Sequence, residues 1–164
     1  MIRMLLFRTG RALVVTLSAL TMAHLLDLSH RLAYDTRLWA DLTSPDALHR
    51  YFATVGGPLE VATAAGVTVF ALTVGCQRPA GRFALAAAMF HTAALGVWLG
   101  VVLPAGARGG TGQSDLERWR TGWELGHTVG FVLLLLGFAA LVLAVLWEGH
   151  PSPMRRLAGA GAIR

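Results

Sequence analysis

Apolar residues run in four blocks along the chain, at about 12–33, 52–75, 83–103 and 120–147. Each block is near the ~20 residues a helix needs to cross ~30 Å of hydrocarbon. None alternates as a half-buried strand does, and only helices or closed barrels span lipid. The pattern predicts an all-α fold: an integral membrane four-helix bundle made by residues 1–164 as a single domain. Arg3, Arg8 and Arg11, ahead of the first block, imitate a signal peptide. No small-x-small cleavage site follows them, so this block is expected to remain as a span.

Polar residues punctuate the blocks. Ser44-Pro45-Asp46 reads as a helix start, with a capping hydroxyl, a first-turn proline and an acid near the positive dipole end. Ser114-Asp115-Leu116-Glu117 matches a capping box and starts the fourth helix at Ser114, ahead of the membrane. Pro79-Ala80-Gly81 is expected to make the short turn between the second and third spans. Residues 104–112, with four glycines, read as a flexible loop, and Pro151 and Pro153 end the last helix.

Composition agrees with a membrane assignment and adds an orientation. Hydrophobic residues make up 55% and charged residues 14%, with a mean hydropathy of +0.58. Soluble domains carry about a quarter charged residues. The net charge of +5 comes from arginine alone, and its scatter argues against a nucleic-acid surface. The single cysteine, Cys76, excludes an internal disulfide framework. Arg3, Arg8, Arg11, Arg78, Arg82, Arg155, Arg156 and Arg164 fall on one side of the spans, opposed only by Glu148. The other side has Arg31, Arg37, Arg50, Arg108, Arg118 and Arg120 nearly balanced by acids. The positive-inside rule then places both termini in the cytoplasm of a multi-pass protein of the cell membrane. Tyr34, Trp39, Tyr51, Trp119 and Trp123 would form an outer aromatic belt, and Trp147 would mark the inner face.

Six ionisable residues remain inside the spans: His24, Asp27, Glu60, His91, Glu124 and His127. A charge at mid-bilayer costs ~2.5–3.5 kcal/mol on insertion scales and marks a functional site by default. Such groups must be paired, neutralised or bound to a cation. His24 and Asp27 are three apart and share a helix face, as do Glu124 and His127. The Glu-x-x-His spacing is the one by which helical bundles hold carboxylate-bridged metals. At ~1.5 Å per residue, His24, Glu60 and His127 lie roughly 8–15 Å below the outer surface, and His91 roughly 18 Å.

Plainer accounts exist for each residue. Asp27 can pair with Arg31, and Glu124 with Arg120, at i,i+4. Glu60 has no basic residue at i±3 or i±4 but can bond to Thr63. His91, set among alanines, can bond to a backbone carbonyl. His30, His49 and His150 fall in loops or at interfaces. The small-residue pairs Gly96/Gly100 and Gly126/Gly130 let neighbouring backbones approach, and the second brackets His127.

Three histidines and three carboxylates without sulfur suit iron, copper(II), zinc or manganese. His24, His91, His127, Glu60 and Glu124 are the expected metal ligands, with Glu60, Glu124 and Asp27 as the catalytic carboxylates. Trp98, seven residues after His91, is expected to line the way in for substrate, with Trp119 and Trp123 from the fourth helix. A b-type haem between two of the histidines is an alternative, and a proton relay for a transporter or accessory subunit is another.

The segment Leu116-Glu117-Arg118-Trp119-Arg120-Thr121-Gly122-Trp123-Glu124-Leu125-Gly126-His127 resembles the C-terminal signature of a family of small four-helix membrane proteins that includes the anthrone oxygenases. Tyr51 to Glu60, with Gly56-Gly57-Pro58-Leu59-Glu60, is similar to that family's second helix. The resemblance implies oxidation of a hydrophobic aromatic molecule by dioxygen; it does not itself imply a metal. The expected function is therefore a membrane-embedded metal-dependent oxidoreductase or oxygenase acting on a lipophilic, aromatic or quinone-like molecule. Its expected partners are the lipid bilayer and that small molecule; a homo-oligomer is compatible with the pattern, and nucleic acid is not expected.

Overall fold

The apolar blocks become helices because they hold few residues that break the backbone ladder. A computed structural model describes residues 2–29, 35, 38, 48–104 and 113–148, with side chains for 7–24, 26, 35, 38, 54–104 and 117–148. Helix α1 is Ile2–Ser29, α2 is Leu48–Val74, α3 is Pro79–Val97 and α4 is Gln113–Glu148. A π-helical turn, Trp98–Val102, continues α3. Among the described residues there is no strand. The start expected at Ser44–Asp46 and the loop at 105–112 lie outside the described residues, whereas α4 begins within a residue of its capping box.

Three stretches are long and apolar enough to cross a membrane: Thr54–Val74, Pro79–Val102 and Glu117–Glu148. Over its described side chains α1 is not among them, since that stretch takes in Arg8 and Arg11. Residues 30–33 of the first expected span lie outside the described residues.

The helices run up, down, up and down, and each packs chiefly on two neighbours: α1 on α2 and α4, α3 on α2 and α4. One end is closed by a tight turn. Gly75 takes a positive φ of 76°, which favours glycine. Pro79 is not part of that turn, as the sequence had implied, but opens α3 directly after it, with Arg78 as the N-cap. The first helical position suits proline because its missing N–H has no partner there anyway. Gly81 then lies on the Gly75 carbonyl so closely that no β-carbon would fit. At the same end Arg11 Nη1 donates to Glu148 Oε2 at 3.0 Å and joins α1 to α4.

Beyond this ion pair the interior is made of small apolar side chains. Val67, Ala84, Ala87, Leu141 and Ala144 are completely buried there, and the alanines let the helices approach closely. The exterior is apolar as well. Leu72 is 78% exposed, Met89 65% and Val69 59%. The buried class instead includes Glu60, His91, Glu124 and His127. A monomer in water rarely shows so apolar a surface over so polar an interior, whereas hydrocarbon favours that arrangement.

Candidate functional site

A polar seam runs up the bundle from its middle toward the Glu117–Arg120 end. On α1, Ser18, Thr21 and His24 recur every three residues and share a face. Ser18 and Thr21 are wholly buried. Thr21 Oγ1 lies 2.8 Å from Thr63 Oγ1 of α2. Each hydroxyl also reaches the carbonyl one turn back, Leu17 O at 2.9 Å and Leu59 O at 2.8 Å. Two hydroxyl protons serve three contacts, so two of the three bonds form at a time. One turn further along α1, His24 Nε2 rests against Gly56 of α2, where no β-carbon could stand.

His91 forms the lower end of the seam. Its Nδ1 is 2.8 Å from Ala87 O, and its Nε2 is 2.8 Å from Ser18 Oγ. A carbonyl only accepts, so Nδ1 carries the proton and Nε2 accepts from the serine hydroxyl. The ring also fills the notch at Gly137 of α4, where a β-carbon would stand 2.6 Å from Nδ1. Both nitrogens are thus engaged, and this histidine bonds α1 to α3 while packing on α4. Ser18→Ala is expected to cost about 1–2 kcal/mol, because it leaves a buried ring nitrogen without a donor. Unfolding in mild detergent, followed by helical circular dichroism, measures this; no change would show the bond to be dispensable.

Above His91 lies a cleft lined by Glu60, Ala94, Trp98, Val102, Gly126, His127 and Gly130. It therefore joins α2, α3 and α4. Its empty volume is about 160 Å³ including the mouth, and its interior has room for about one water molecule. Glu60 is 6% exposed and His127 4%. Among the described residues the Glu60 carboxyl takes part in no ion pair. His127 Nδ1 donates to Trp123 O at 2.8 Å, which makes Nε2 the acceptor of the neutral ring. The imidazole also stacks on the Trp123 indole, with centroids 4.0 Å apart and an interplanar angle of 48°. Glu124, one turn from His127, accepts from Arg120 Nε at 3.1 Å.

These positions revise several expectations. Glu60 and His127 line one cleft, and Trp98 forms part of its wall. His91 and Glu124 are not on its lining, and His24 meets Gly56 beside it. The Asp27 side chain lies outside the described residues. Trp123 is not a belt residue: at 2% exposure it belongs to a buried cluster with Ala94, Val102 and Leu134, against which the partly buried Trp119 packs. Among the described residues, Gly96 and Gly100 meet no neighbour within 4 Å.

Among the described residues the expected donor set does not come together as a metal centre: no three of His, Cys, Asp and Glu gather as a site. His91 has spent both nitrogens on Ser18 and Ala87, and Glu124 is paired with Arg120. The same engagement of His91 counts against its serving as a haem ligand. Several contributors are not evident from the sequence, chiefly Ser18, Thr21 and Gly137, together with the role of Gly56 and Gly57 as seats for His24 and Trp98. The i, i+3 recurrence of Ser18, Thr21 and His24, and the adjacent glycines one turn before Glu60, were the available signals.

Comparison with family models, curated proteins and solved structures found no match to this chain. What defines the protein here is its class: an all-helical bundle with three helices fit to cross a membrane and a buried carboxylate–imidazole cleft.

Proposed function

We propose that this chain is a multi-pass protein of the cell membrane, with both termini in the cytoplasm, that oxidises a lipophilic, aromatic or quinone-like molecule in the cleft. The observation that carries this reading is the pair Glu60 and His127, both buried and both lining one cleft beside the Trp98 indole. The arginine asymmetry supports the orientation, and the resemblance around Leu116–His127 supports oxidation by dioxygen. On this reading α1 is a fourth span, its polar face turned inward onto α2 and α3.

The chemistry needs only proton transfers from the chain. Glu60 takes a proton from an acidic ring methylene, leaving an electron-rich enolate. Where the guest enters as its enol, as a naphthol does, His127 Nε2 instead takes the hydroxyl proton and leaves the same enolate. The enolate then reduces dioxygen. Overall the methylene becomes a carbonyl that keeps one oxygen atom, and the other leaves as water, so no further reductant enters. The apolar walls exclude bulk water and strengthen these contacts. A proton relay across the whole bundle finds less support, because below His91 the seam gives way to alanine, valine and leucine.

The test uses the full chain in lipid nanodiscs, under air and with a chelator present, and anthrone as the probe. The expected result is uptake of one dioxygen per quinone formed, well above empty nanodiscs. Uptake no greater than that of empty nanodiscs for anthrone, 1-naphthol and a lipophilic hydroquinone overturns the reading. Activity appearing only after iron, copper or manganese is added would reinstate a metal-dependent reaction.

A further inference from the structure

The cleft described above is too small, as it stands, for the molecule assigned to it. Its interior holds about one water, so an aromatic ring enters only if part of the wall retreats. Most of the wall cannot. Ala94, Gly126 and Gly130 present little beyond backbone. Val102 is wedged against Gly126, where a β-carbon would stand 2.6 Å from Cγ2. His127 is held by its bond to Trp123 O and by its stack on the Trp123 ring.

Trp98 differs from all of these. It is the one bulky apolar side chain on the lining. Among the described residues no hydrogen bond holds its indole. It is half-buried rather than fully enclosed. The ring lies on Gly57 of α2, where a β-carbon would stand 3.0 Å from Cζ2 and 3.1 Å from Cη2. Because Gly57 has no side chain, the indole can slide along bare helix backbone. Its own backbone belongs to the π-helical turn Trp98–Val102, a feature common at functional sites in helices.

We propose that Trp98 is a displaceable lid: a flat lipophilic guest enters sideways from the membrane, between α2 and α3, into the space its indole vacates. This rests on the function proposed above and narrows the substrate class. The guest is a planar fused-ring aromatic that covers Gly57 as the indole does, with its acidic edge toward Glu60. Bulky saturated molecules of the same volume do not match the slot.

The test measures binding and needs no turnover. Wild-type protein, Trp98→Phe and Trp98→Ala are compared in nanodiscs, with anthrone and 1-naphthol as probes and adamantanol as a saturated control. A lid that is closed about nine-tenths of the time lowers apparent affinity about tenfold. Trp98→Ala is therefore expected to bind both aromatics about tenfold more tightly and to take them up faster, with Trp98→Phe between. Added 3-methylindole, which refills the hole, is expected to restore the slow wild-type uptake in Trp98→Ala. Equal affinities in all three proteins overturn the lid, as does weaker binding to Trp98→Ala, which would make the indole an ordinary stacking wall. Wild-type affinity for adamantanol equal to that for the aromatics overturns the planar class. If no variant binds any aromatic, including the opened Trp98→Ala, the proposed function falls as well, so the two failures are distinguishable.

Discussion

Glu60→Gln is expected to slow oxidation of the bound aromatic by about 10²–10⁴-fold, the range a positioned general base contributes, while leaving the helices and guest binding in place. Glutamine keeps the length and shape of the side chain and removes only its capacity to take a proton. Glu60 sits midway along α2, 6% exposed, on the wall shared with His127. No basic residue stands at i±3 or i±4 to claim the carboxylate for a local ion pair. Its loss should therefore appear in kcat, with KM nearly unchanged. Glu60→Asp, which withdraws the same group by one methylene, should fall between the two. A kcat equal to wild type in Glu60→Gln, in protein whose circular dichroism is normal, would remove Glu60 from the chemistry.

Gly137→Ala should destabilise the bundle by about 2–3 kcal/mol, as overpacking of a filled core does. A β-carbon there would stand 2.6 Å from His91 Nδ1, 2.8 Å from Cε1 and 3.1 Å from Phe90 Cβ. A free side chain would swing aside cheaply, but this ring is tethered at both ends. Moving it breaks the bond to Ala87 O or the one to Ser18 Oγ, each 2.8 Å long. The same geometry predicts coupling. His91→Ala removes the obstacle, so the double variant should cost less than the sum of the single ones by about 1 kcal/mol or more. Strict additivity, read from unfolding in detergent, would mean that the two positions do not press on each other.

The contrast between these residues shows how far the sequence could be read. Glu60 stood out because a carboxylate with no local cation, in a run of apolar residues, is costly in hydrocarbon. His127 stood out through its spacing from Glu124. His91 looked like their equal, since composition records that a histidine lies within a span but not what its nitrogens meet. Its partners come from α1, 73 residues away, and from its own helix one turn back. The Arg120–Glu124 pair was legible because both residues lie on one helix at i,i+4. Trp123 was assigned to a belt from its position at a span end, but it packs inward beneath His127.

The sequence by itself determined the helices, their apolar exterior and the presence of polar groups that need company. These follow from local terms: backbone hydrogen bonding within each segment, and the transfer energy of side chains counted one at a time. Only the tertiary structure decided which polar groups meet. That depends on rotation and register between helices, which small residues set by allowing close approach at Gly56, Gly57, Gly126 and Gly137. A side chain's partner on another helix is a property of that register, so the cleft of Glu60, His127 and Trp98 emerges from packing that no single segment encodes.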